Sequence, residues 1–183
     1  MKRLLIAAVL AVALIPGSGA SAVTADHKAT LTPGQSFSWT GSTQTATNVN
    51  YFGNTDPAPV TPVTPIGTCT KDRTSYCEYA LIEFSNPVPL SDADGKLSKG
   101  ATITLNPFSP VPAPVTDFDL LVFESNAAGD KLAELGRDGA LDADGETVSF
   151  TAKTTRTSPS YFALAEIVYY AVPQSTYAGV AQF

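Results

Sequence analysis

One histidine, two cysteines, one tryptophan and one methionine stand among 183 residues, and each scarcity removes a class of chemistry. Hydrolysis by a nucleophile needs a base held beside a serine or cysteine. The sole histidine is His27, a few residues into the processed chain, where side chains are ordinarily mobile. No serine, Ser125 included, lies in a Gly-x-Ser-x-Gly setting, so a triad enzyme is not expected. Two cysteines and one histidine cannot complete a four-ligand zinc site at this spacing. Basic side chains are also few, 11 Lys and Arg against 17 Asp and Glu. Without clustered cations there is nothing to meet a phosphate backbone, and a nucleic-acid partner is excluded.

Long apolar runs are equally rare. Leu4 to Ile15 is uninterrupted, but it is too short to span a bilayer. It follows the basic start Met1-Lys2-Arg3 and precedes Pro16-Gly17 and Ala20-Ser21-Ala22. That order is a secretory signal peptide, residues 1–22, cleaved after Ala22. The mature chain, residues 23–183, is expected to be one secreted, extracellular domain with no membrane span. Export makes oxidation the default for Cys69 and Cys77, and closing so short a loop is worth about 2 to 3 kcal/mol.

What the chain does have is alternation. Ala29 to Gly34 and Phe37 to Gly41 read as two short strands around a Pro-Gly turn, with Phe37 and Trp39 on one face. Ser42 to Asp56 is polar, and Pro57 to Gly67 is proline-rich. Together with the cysteines they form an insert over about residues 42–77, read as an ordered connection across the domain. Glu78 to Phe84 has large residues on both faces and belongs inside a sheet. Lys99 to Leu105 and Thr147 to Thr151 alternate cleanly, and Lys131 to Leu135 is a short strand or edge.

Thr116 to Phe123 is the most informative stretch. As a strand it sends Phe118, Leu120 and Val122 to one face and Asp117, Asp119, Leu121 and Phe123 to the other. Tyr161 to Val172 is apolar enough for a helix, but its aromatic and β-branched content and the flanking Pro159 and Pro173 favour a strand. Tyr177 to Phe183 reads as a separate final strand. Many strands, turn residues between them and no amphipathic helix specify an all-β chain, a single antiparallel β-sandwich.

Carboxylates supply the candidate chemistry. Asp117 and Asp119 could approach Glu78, Glu83 or Glu166 to form the pair a glycosidase needs, or they could be the solvated end of a core strand. Asp92-Ala-Asp94-Gly95 reads as a hairpin turn. Asp142-Ala-Asp144-Gly145 is the same tetrapeptide with Glu146 added. It reads either as a turn or as part of a calcium site, since calcium takes carboxylate and carbonyl oxygens. The candidate calcium ligands are Asp117, Asp119, Asp142, Asp144 and Glu146. Trp39 and the tyrosines could stack on sugar rings, though at strand positions they are also core packing.

Leu31-Thr-Pro-Gly-Gln-Ser-Phe37, Asp117-Phe-Asp-Leu-Leu-Val-Phe123, Glu146-Thr-Val-Ser-Phe-Thr-Ala152 and the aromatic strand from Tyr161 to Tyr170, in that order, resemble the bacterial pre-peptidase C-terminal (PPC) domain. That family is similar in fold to the collagen-binding modules of secreted collagenases. The resemblance covers residues 28–40 and 115–183. It implies a jelly-roll-like sandwich, accessory to an exported enzyme and stabilised by calcium. This chain departs from it by its insert, by the absence of an attached catalytic domain and by an ending of Tyr177-Ala-Gly-Val. The function expected is a non-catalytic binding module for an extracellular or cell-surface polymer, protein or polysaccharide. The alternatives are a small hydrolase using paired carboxylates and a structural envelope component.

Overall fold

The computed structural model describes residues 23–47, 76–86, 96–108, 116–139, 145–155 and 157–183. The proline-rich stretch 57–67, Cys69, the turn at 92–95 and the Asp142–Asp144 pair therefore lie outside the described residues. Nine strands are present: β1 (His27–Leu31), β2 (Ser36–Thr40), β3 (Gln44–Thr47), β4 (Cys77–Ser85), β5 (Lys96–Phe108), β6 (Asp117–Ser125), β7 (Ala133–Asp138), β8 (Glu146–Thr155) and β9 (Ser160–Gln182). They make two sheets packed face to face and not closed into a barrel, as the alternation predicted.

One strand serves both sheets. The first half of β9 pairs with β4 on one side and β6 on the other, with β3 carrying the pairing on past the end of β4. β1 lies outside β4, and β7 outside β6. The second half of β9 pairs with β2 and β5, and β5 with β8. Thus the stretches 161–172 and 177–183 are a single element, not two. Pro173 does not end it because the pairing with β3 skips a residue there, between Ala46–Val172 and Gln44–Ser175. A bulge is where a residue without an N–H is tolerated, and it turns the strand from one sheet into the other. The sandwich is antiparallel except that β1 runs parallel to β4.

The inner faces interdigitate as the period of two requires. Ala80, Ile82 and Phe84 of β4 meet Phe118, Leu120 and Val122 of β6, Ile103 and Leu105 of β5, and Val148 and Phe150 of β8 in one apolar cluster. Trp39 caps it, its indole flat against Gly179, where an added Cβ would lie 2.2 Å from Trp39 Cε2. At its centre Phe118, Tyr169 and Tyr177 pack edge to face, with centroids 4.8 to 6.0 Å apart.

The outer face of the β4–β9–β6 sheet is buried too. Leu121, Phe123, Val168 and Cys77 form a second cluster, and Tyr79, Leu81 and Leu164 a third, on which Val23 and Ala25 pack. β5 continues through Pro107, opposite Tyr177, further than the sequence suggested. The register aims the odd-numbered backbone groups of β5 at β8, and β8 begins opposite Leu105. The N–H that Pro107 lacks would therefore face no strand.

Candidate functional site

Three places gather polar chemistry. The first is the acidic start of β6. Asp117 and Asp119 are each 5% exposed, so the expected solvated strand end is instead buried. Both share the outer face with Leu121, and Asp119 stands beside Val168, which pairs with Cys77. Burial raises the Asp117 carboxyl above its ordinary value. Burial, then the charges of Asp117 and Asp138, push Asp119 up to about 7. Asp119 Oδ2 has no hydrogen-bond partner among the described residues. Its Oδ1 lies against Gly139, where a Cβ would sit 2.6 Å away, so a side chain at that position would displace the carboxylate. Gly139 leads directly into the segment that carries Asp142 and Asp144.

A buried carboxylate with a free oxygen, crowded by two others, is the setting a cation relieves. Glu146 does not join it. Its position continues the inward series Val148, Phe150 and Ala152 of β8, whereas Asp117 and Asp119 face away from the core. Among the described residues no group of three acidic, histidine or cysteine side chains stands close enough to hold a metal. Closure of a calcium site would rest on Asp142 and Asp144.

The second place was not foreseen. Glu78 is 1% exposed and points into the sandwich, on the face of Ala80 and Ile82. Its Oε1 accepts from the Ser42 N–H at 3.0 Å and the Tyr76 hydroxyl at 3.2 Å, and its Oε2 from the Tyr177 hydroxyl at 2.9 Å. The Trp39 indole N–H donates to the Tyr177 oxygen at 3.2 Å. Burial and then the Glu78 charge hold the Tyr169 and Tyr177 hydroxyls protonated, far above the usual phenol range.

His27 is part of this cluster. Its Nε2 lies 3.7 Å from Glu78 Oε2, and its ring 5.9 Å from that of Trp39. It is fixed in β1 rather than mobile. The period of two would have found Glu78, because it falls on the same face as Ala80, Ile82 and Phe84. The cluster ties β4 to both halves of β9, through the Tyr177 hydroxyl on Glu78 and the strand pairing of Glu78 with Ile167.

Glu166 and Glu83 are also committed. Glu166 accepts from Lys131 Nζ at 2.7 Å and from the Tyr79 hydroxyl at 3.1 Å. Lys131 lies over the rings of Tyr79 and Phe123. Glu83 takes the hydroxyls of Thr30 and Ser160. Glu78 faces the interior while Asp117 and Asp119 face outward, so the sheet itself separates that proposed pair.

The third place is a groove of about 650 Å³ where the edges of the two sheets part. Thr151 and Lys153 of β8 form one wall, and Leu135 of β7 with Glu124 to Ala127, at the end of β6 and just past it, the other. Phe150 and Tyr161, with ring centroids 6.4 Å apart, give it an apolar floor. Burial and then the charge of Glu124 push the Tyr161 hydroxyl up to about 12. Sequence could not show this groove, since it arises only where strands distant in the chain come side by side.

No family model, curated protein or solved structure matches the chain.

Proposed function

We propose that the chain is a secreted, non-catalytic β-sandwich that binds an extracellular or cell-surface polymer, protein or polysaccharide. The observation that carries this reading is the seam groove, which joins an apolar aromatic floor to hydroxyl, amide and charged walls. Among its described lining residues Glu124 is the only carboxylate. Glycoside hydrolysis needs two across a cleft, so binding is favoured over the hydrolase alternative. Export rests on the leader, residues 1–22. The Cys69–Cys77 bridge and the likeness to pre-peptidase C-terminal domains are parts of the same proposal.

Calcium belongs to the reading as a stabiliser. Asp117 and Asp119 would supply carboxylate oxygens from β6, and Asp142 and Asp144 the remainder. The test is retention of the purified mature chain on insoluble cell-wall polysaccharides and on immobilised extracellular proteins, with calcium and with chelator. Retention on one class that Lys153→Ala, in the groove wall, weakens supports the reading. Passage through every matrix in both conditions overturns it.

A further inference from the structure

Among the described residues β8 is the outer strand of its sheet, and hydrogen bonds at each end fix the direction its backbone faces. The Thr147 N–H donates away from β5, to Asp138 Oδ2 at 2.8 Å. The Thr155 N–H likewise donates away from β5, to the Ser158 carbonyl at 2.8 Å. Across the sheet, the Gly41 N–H donates to the Tyr177 carbonyl and the Phe183 N–H to the Gln35 carbonyl. These bonds turn the odd-numbered residues of β9 toward β2, and through the register leave the odd-numbered residues of β8 facing outward. Backbone groups alternate sides along a strand. Ser149, Thr151 and Lys153 therefore present N–H and C=O groups to the free side, and all three residues are exposed.

That free side is the wall of the groove. β7 and β8 touch at one end, where Asp138 holds Thr147 and a Cβ on Gly136 would lie 2.9 Å from Val148 Cγ1. They diverge toward Leu135 and Lys153, and the groove fills the opening. Its floor of Phe150 and Tyr161 offers contact to alternate side chains of anything extended along β8. The side chains of Glu124 and Lys153, on opposite walls, have neither a hydrogen bond nor an ion pair with the described residues, and would meet opposite charges on a visitor. The open stretch is bounded by Thr147 and Thr155, which matches a segment of about five residues at about 3.4 Å each.

We propose that an extended polypeptide segment adds to β8 in this groove as a further strand, bonded to Ser149, Thr151 and Lys153 through its backbone. This rests on the binding reading above and narrows its polymer to protein.

The probe is a library of random octapeptides with blocked ends, panned on the mature chain. A matched set of each selected peptide carries N-methyl groups at alternate residues. Thr151→Pro removes an outward N–H and no ladder bond, the placement an edge strand tolerates, whereas Thr151→Ala keeps that N–H. Selected peptides should shift the amide NMR signals of Ser149, Thr151 and Lys153. Their affinity should fall about tenfold or more with Thr151→Pro, and also with N-methylation in one of its two phases. Thr151→Ala should stay within about twofold of the wild type.

Equal binding by Thr151→Pro and Thr151→Ala, with N-methylation harmless in both phases, would overturn strand addition. So would a dimer of the wild type that Thr151→Pro dissolves, since the edge would then belong to a second copy. Retention on a polysaccharide that Thr151→Pro leaves intact, with no peptide selected, removes this inference and leaves the binding reading standing. If neither peptide nor any polymer is retained, both fall.

Discussion

Asp119→Asn replaces a buried carboxylate, crowded by the charges of Asp117 and Asp138, with an uncharged side chain of the same shape. In the folded protein, burial and the neighbouring Asp117 and Asp138 move the Asp119 carboxyl from 3.8 to about 7. The folded form thus holds the proton more tightly than the unfolded chain does. Its contribution to stability is full below pH 3.8 and is lost as pH rises toward 7, the reverse of an ordinary salt-bridged aspartate. At about 1.4 kcal/mol per tenfold in proton affinity, the loss approaches roughly 4 kcal/mol above pH 7. Asparagine pays no such penalty. In chelator, urea unfolding followed by fluorescence should show the wild type weakening from about pH 4 to about pH 8. Asp119→Asn should lack that component and be the more stable protein at the upper end. Calcium added at about pH 8 should stabilise the wild type and leave the variant unmoved. Parallel stability profiles of wild type and variant across this range would refute the account of a strained, proton-holding carboxylate.

Glu78→Ala leaves the Tyr76 and Tyr177 hydroxyls and the Ser42 N–H without their acceptor, and should cost about 3 to 5 kcal/mol in chemical denaturation. Glu78→Gln, which keeps an acceptor oxygen, should cost less. Gly179→Ala drives a methyl into the indole of the only tryptophan. It should destabilise by about 1 to 3 kcal/mol and move the Trp39 emission to longer wavelength. Thermal melting with saturating calcium and then with excess chelator should separate the midpoints, and coincident midpoints would remove calcium from the proposed function. Thiol titration of the denatured, unreduced chain should find no free sulfhydryl if Cys69 and Cys77 are bridged.

The sandwich was legible because its strands are long enough for a period of two to show, and because turns fall between them. Asp117 to Ser125 emerges almost as read, with Phe118, Leu120 and Val122 inward. The outer face was misread because alternation reports only which side a residue takes, not whether that side is covered. Asp117 and Asp119 looked solvated beside Leu121, yet all three are buried. Tyr161 to Phe183 was divided at Pro173 because proline ordinarily ends a strand, and a bulge in the pairing with β3 is not visible in a linear pattern. His27 was judged by its distance from a chain end. Its position is set instead by pairing with Ala80, far along the chain. The same counting that places Ile82 inside places Glu78 there too.

The double role of β9 bears on how the molecule comes into being. Five strands, β2 through β6, find in Ser160–Gln182 a partner that follows all of them in the chain. A nascent chain lacking that segment has strands but no strand to join them, and the tie at Glu78 lacks Tyr177. Folding should accordingly be one late, cooperative step with slow, long-range closure. Clipping the chain within β9 should unravel both sheets at once instead of fraying one edge.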